Sequence, residues 1–220
     1  MRNMRRQIIT AVLSFFLIAC ASAKQESSPR PSESSAPEST PTAEALDAVP
    51  SVTEEPKPSE EPLPDVDIEV PARLIELTGG TAEQFAQQLE KDGTHFEHVD
   101  LKADGSASFT LTQESYEQLL ERYRTVIDAG LQGLIDDQGS MINIIDIKAD
   151  KDYSDFTVTL DNGEFTIMDG FSVIYYYMYG GIYNAFLGNP EKKIAVTFVD
   201  KDGNTIETID GQTYYEEYFS

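Results

Sequence analysis

Histidine is the most versatile metal-binding and acid–base side chain, and this chain of 220 residues has two, both in the run His95-Phe96-Glu97-His98-Val99-Asp100. On a helix, histidines three apart share a face and could hold one metal ion. Here the neighbours alternate as they do along a strand, which sends His95 and Glu97 to one side and His98 to the other, so a shared zinc is not expected. The acidic run Asp150-Lys151-Asp152-Tyr153-Ser154-Asp155, followed by Asp161, has the acid spacing of a calcium loop. Its sixth position, where an EF-hand turns on glycine, is Asp155, and the following residues alternate as a strand. These carboxylates, like Asp200 and Asp202 beside Asn204, read as turn residues, with a looser calcium site as the alternative. There is no Gly-x-Ser-x-Gly elbow, no Ser-x-x-Lys and no glycine-rich phosphate loop after a strand, so no catalytic residue, metal or cofactor is assigned.

Aromatic chemistry is concentrated in Tyr175-Tyr176-Tyr177-Met178-Tyr179-Gly180-Gly181-Ile182-Tyr183. At helical spacing Phe171, Ile174, Tyr175, Met178, Ile182 and Phe186 share one face, and Tyr176, Tyr179 and Tyr183 gather at its flank. Tyrosines stack on sugar rings or peptide side chains while their hydroxyls stay wet, which makes these three the candidate binding residues. The alternative is that a helix apolar nearly all round is core, and that Gly180-Gly181 lets another element approach closely.

The single cysteine, Cys20, sits at the end of a different pattern. Arg2, Arg5 and Arg6 make a positive leader, and the apolar run Ile8 to Ile18 is long enough for a signal sequence and too short to span a bilayer as a stable helix. Leu17-Ile18-Ala19-Cys20 resembles the lipobox at which signal peptidase II cuts after a diacylglyceryl group has been added to the thiol. That resemblance implies a signal peptide over residues 1–19 and a mature chain beginning at a lipidated Cys20. Two or more acyl chains anchor stably, where one myristoyl-sized chain holds only marginally. An ordinary cleaved signal with a coincidental cysteine is the alternative. With its one cysteine acylated the chain has no thiol for disulfides or nucleophilic work, so stability must come from a core.

Nine of the eleven prolines fall between Ala21 and Val66, among many serines, threonines and glutamates. Such a segment cannot bury enough apolar surface to offset its ordering entropy, so residues 20–66 are expected to be a disordered tether, reaching roughly 100 Å or more at about 3.1 Å per residue. A generic solubilising spacer is an equally good description. Loss of the signal removes three arginines and no acid, taking the formal charge from −23 to −26, and Ile68 to Ser220 alone carries 28 acids against 10 bases. Nucleic acid and anionic lipid surfaces are poor partners for such a chain, whereas cations, cationic peptides and neutral glycans are not excluded.

Residues 67–220 are long enough for a single domain with one core. Ile68, Val70, Ala72 and Leu74 alternate as a strand that Pro71 confines to a sheet edge, and Thr81 with Gln84 can box the start of a helix to Lys91 that buries Ala82, Phe85, Ala86 and Leu89. Val99 and Leu101 then pair with Ala107, Phe109 and Leu111 around Asp104-Gly105. The longest periodic segment, Gln113 to Asp137, is a helix, and Ile142 to Lys148 a buried strand. Phe156, Val158 and Leu160 are expected to fold back at Asn162-Gly163 onto Phe165 and Ile167, with Asp169 capping a helix over Gly170 to Leu187. A last hairpin pairs Ile194–Val199 with Thr205–Ile209 around Asp202-Gly203, and the tail from Gln212 is a helical turn or a loose end. The pattern of a helix followed by a hairpin, three times over, predicts an α+β domain: a mostly antiparallel sheet with about three helices packed on one face, without the spacing of a parallel βαβ fold.

The lipobox, acidic Pro/Ser tether and small α+β domain together resemble the uncharacterised lipoproteins of Gram-positive, Firmicutes-like gut bacteria. The resemblance implies display on the outer face of the cytoplasmic membrane and assigns no catalytic residue; in a Gram-negative cell, Ala21 after the cysteine would imply sorting to the outer membrane. The expected function is that of a non-enzymatic binding or interaction module, membrane-bound through its lipid, with cell-wall glycan, peptide or another exported protein as partner. A carboxylate-based envelope hydrolase or processing factor, or a folding and assembly helper, are the alternatives.

Overall fold

The computed structural model describes residues 63–136 and 143–219. The signal peptide, Cys20 and the tether up to residue 62 lie outside the described residues. Val66, assigned above to the tether, opens the first strand, β1 (Val66–Val70).

Pro71 ends β1 and starts a helix. With φ at −63° and no N–H to give, it stands at the N-cap of α1 (Ala72–Leu77), so the apparent strand alternation through Ala72 and Leu74 stops at Val70. In α2 (Ala82–Lys91) the Thr81–Gln84 capping box is present in both directions, and the predicted Ala82, Phe85, Ala86 and Leu89 are buried. Next, β2 (His98–Leu101) and β3 (Ala107–Leu111) form the expected hairpin. Gly105 turns it with φ at 89°, and Asp104 accepts from the backbone N–H of Ser106 at 2.9 Å. Since β1 pairs antiparallel with β3, the first sheet has the order β1-β3-β2 and β1 lies at its edge.

The long helix α3 (Gln113–Asp136) buries Leu119, Tyr123, Ile127, Leu131 and Leu134 along one stripe. It leads to β4 (Ile144–Ala149) and β5 (Asp155–Leu160), an antiparallel pair whose turn is Asp150 to Ser154. Here the structure corrects the sequence reading. Asn162-Gly163 only bends the chain, with Gly163 at φ 66° and the Asn162 side chain accepting from the Glu164 N–H. Thr166 then begins α4 (Ile167–Phe186) through a capping box with Asp169, and Ile167, expected on a returning strand, is 78 % exposed at the helix start. Asp169 is therefore the third helical residue rather than the cap. A two-way capping box ahead of a long apolar helix outweighs the local turn preference of Asn-Gly.

Crossing over through α4 brings the chain back to β6 (Ala195–Val199), which lies parallel to β5. A βαβ unit is thus present where none was expected. After it, β7 (Thr205–Asp210) pairs antiparallel with β6, and α5 (Gly211–Phe219) closes the described chain as a full helix. The second sheet has the order β4-β5-β6-β7. The domain is α+β, with its strands in two sheets, and helix-then-hairpin does occur three times, the middle hairpin turning at Asp150–Ser154.

The centre of the molecule is α4. Sixteen of its twenty residues are buried, a pattern left by neighbours on every side. It packs against β1, α1, α3, α5 and β6, and Tyr176 lies 5.0 Å from the ring of Phe156 on β5. Its two adjacent glycines are close-approach points. A Cβ on Gly180 would stand 2.1 Å from the carbonyl oxygen of Tyr153, and one on Gly181 2.7 Å from Leu74. No helix among the described residues is long and apolar enough to cross a membrane.

Candidate functional site

The tyrosines singled out from the sequence are core. Tyr176 and Tyr183 are fully buried and Tyr179 is 4 % exposed, so the binding surface expected from this trio does not exist in the folded domain. The physical reason is the enclosure of α4: with sheets and helices on each side, its flank tyrosines pack instead of facing water. Burial pushes the Tyr179 phenol up to about 12. An exposed aromatic lies elsewhere, on α5, where Tyr218 is 55 % exposed with its ring tilted against that of Tyr214, 4.7 Å between centroids.

His95 and His98 are both exposed, and His98 stands on β2 opposite Thr110. Among the described residues no three of His, Cys, Asp and Glu gather so as to hold a metal ion. In the Asp150–Asp155 run the carboxylate of Asp150 turns inward: Oδ1 accepts from the N–H of Ser154 at 2.6 Å and of Asp155 at 3.0 Å, and Oδ2 from the Ser154 hydroxyl at 3.0 Å. Partial burial pushes this carboxyl upward, but those hydrogen bonds outweigh it and hold it below its ordinary value. Asp200 is used the same way, accepting from the N–H groups of Asp202 and Asn204.

The same turn borders a concave site. Tyr153 is the one described non-glycine residue with positive φ, at 52°. A left-handed tyrosine is uncommon and persists where its surroundings over-determine it. Asn184 on α4 donates to the Asp152 carbonyl at 2.7 Å, and Gly180 lets α4 touch the Tyr153 carbonyl. The backbone of the turn is thereby latched to the central helix, and the Tyr153 ring is laid edge-on against Tyr183, 5.1 Å between centroids. Its hydroxyl donates to Asp128 at 2.8 Å. From α3, Arg124 reaches over the Tyr183 ring at 5.5 Å and donates through Nε to the Tyr183 hydroxyl.

Between α3 and this hairpin lies a groove of about 400 Å³. Leu131, Ile135, Ile147 and Ala149 supply its apolar lining, and Arg124, Asp128, Gln132, Asp150, Lys151 and Tyr153 its polar one. That volume is within the range of small-ligand sites. The hydrogen bond to Tyr183 raises the Arg124 guanidinium further, and burial together with the bond to Asp128 raises the Tyr153 phenol. At neutral pH these two groups and Asp150 therefore keep their cationic, neutral and anionic forms.

Arg124, Asp128 and Tyr153 were not singled out from the sequence. One local signal existed: Arg124 and Asp128 stand one turn apart at the edge of the apolar stripe of α3, in a domain with few cations. Nothing local marks Tyr153, because its left-handed backbone is imposed by α4. The chain matches no family model, no curated protein and no solved structure.

Proposed function

We propose that this chain is a lipid-anchored extracytoplasmic binding module whose ligand lies in the groove between α3 and the β4–β5 hairpin. The observation that carries the reading is the fixed geometry of the groove's polar groups. Tyr153, Arg124 and Asp150 are each held by hydrogen bonds around a cavity of about 400 Å³. Recognition is served by groups that are oriented before the ligand arrives. These three suit recognition. The anchor rests on the Leu17–Cys20 pattern, and the acidity of the domain disfavours nucleic acid.

Metabolic labelling with a palmitate analogue tests the anchor: wild-type chain should label and Cys20→Ser should not, and undiminished labelling of the variant refutes lipidation at that thiol. Peptide and glycan arrays probed with the mature chain carrying Cys20→Ser test the groove. Signal should fall on Arg124→Ala, and signal that is unmoved by this change places the ligand elsewhere.

A further inference from the structure

The charges in the groove are not balanced in what remains available to a ligand. Of its two carboxylates, Asp150 is taken up by the turn through both oxygens, and Asp128 accepts from the Tyr153 hydroxyl with one. Its two cations are open: among the described residues Lys151 has no ion pair or hydrogen bond, and Arg124 uses Nε alone, leaving both terminal nitrogens of its fork. An open guanidinium fork matches a carboxylate in two parallel hydrogen bonds, and the Nε bond to the Tyr183 hydroxyl holds the Arg124 fork in place. The apolar lining begins beside that cation, with Leu131 and Ile135 following at helical steps. Along the groove runs β4, which among the described residues is an edge strand bonded to β5 alone, so one row of its backbone N–H and C=O groups is unclaimed by them. Unclaimed strand edges accept extended peptides.

Resting on the groove reading above, we infer that the ligand is a peptide with a free C-terminal carboxylate and apolar final side chains, its carboxylate held by Arg124 and Lys151 and its backbone running beside β4. The excess of acids on the domain does not oppose this. A short peptide carrying both termini is neutral overall, and charges beyond about 8 Å are screened at physiological salt.

Calorimetric titration of the mature chain carrying Cys20→Ser tests the inference with three probes: a tetrapeptide of one alanine, one valine and two leucines with a free C-terminus, the same peptide amidated, and octanoate. The free acid should bind about tenfold or more tightly than the amide. Arg124→Ala and Lys151→Gln should each erase most of that difference, with Arg124→Lys restoring part of it. Lys151 is exposed on the turn, so its variant keeps the fold, which circular dichroism checks. Equal binding of acid and amide, or no binding of the acid at millimolar concentration, overturns the inference, and octanoate binding as tightly as the peptide overturns the peptide as the source of the carboxylate. If array ligands still depend on Arg124 while acid and amide are not distinguished, only this inference fails. Array binding indifferent to Arg124 removes the groove reading itself.

Discussion

Gly180→Ala tests the contact on which the groove depends. In the native structure the added Cβ would lie 2.1 Å from the Tyr153 carbonyl oxygen and 3.1 Å from Ile194 Cδ1. The first partner is backbone, held in a turn that Asn184 also fastens, so α4 and the hairpin must separate by about 1 Å to leave the forbidden range. Overpacking of this kind costs about 1–3 kcal/mol, and weakening the Asn184 bond about 1 kcal/mol more. Against this, alanine is about 1 kcal/mol better than glycine inside a helix. The net loss is about 2 kcal/mol, or roughly 4–8 °C in Tm for a domain of this size. Gly181→Ala is the matched control: it is equally buried and gains the same helix propensity, but its added methyl meets the end of the Leu74 side chain, which can rotate away. Thermal unfolding of both variants by circular dichroism should show Gly180→Ala clearly the less stable and Gly181→Ala within about 1 kcal/mol of wild type. A Gly180→Ala protein as stable as wild type would refute the close approach of α4 to the turn.

Three further outcomes are expected. The folded-state pKa of Asp150 is depressed, so its stabilisation is complete above the ordinary value of 3.8 and is lost as pH falls through the lowered value; the Tm gap between wild type and Asp150→Asn should hold from about pH 7 to 5 and close toward pH 2, and a gap unchanged at the acid end disproves the carboxylate's role. Thr166→Ala removes the N-cap of α4 and should lower stability by about 1 kcal/mol in urea titration; no change in the midpoint would mean that the capping box contributes nothing. Among the described residues the buried Tyr123 hydroxyl has no hydrogen-bond partner, so Tyr123→Phe should leave Tm unchanged or raise it, and a fall of several degrees would reveal a hydrogen bond at that oxygen.

Where structure is decided by neighbours in sequence, the sequence is a good guide. Thr81 with Gln84, Asp104-Gly105, Asp202-Gly203 and the stripe from Leu119 to Leu134 all behave as their local chemistry dictates. The misreadings arise where two local signals compete or where distant packing decides. Asn162-Gly163 does bend the chain, but Thr166 and Asp169 begin a helix before a strand can return. Pro71 suits a strand edge and a helix start equally well, and takes the second role because Leu74 and Ile75 can both be buried from a helix. The α4 tyrosines have a composition that serves surface or core, and only their enclosure decides for core. The groove was the least legible part. Arg124, Ile147 and Tyr153 come from a helix, a strand and a turn, and are joined by the contact of α4 with the Tyr153 carbonyl, which no local pattern announces.

The central position of α4 also sets the order in which the molecule can become whole. Arg73, at the start of α1, donates to the hydroxyl of Tyr177, 104 residues further along, and β1 rests on the same late helix. A nascent chain emerging amino end first at about 5–20 residues per second therefore carries the side of β1 that α4 covers exposed for roughly 5–20 seconds before that partner exists. A truncation upstream of α4 would leave that side of β1 uncovered permanently.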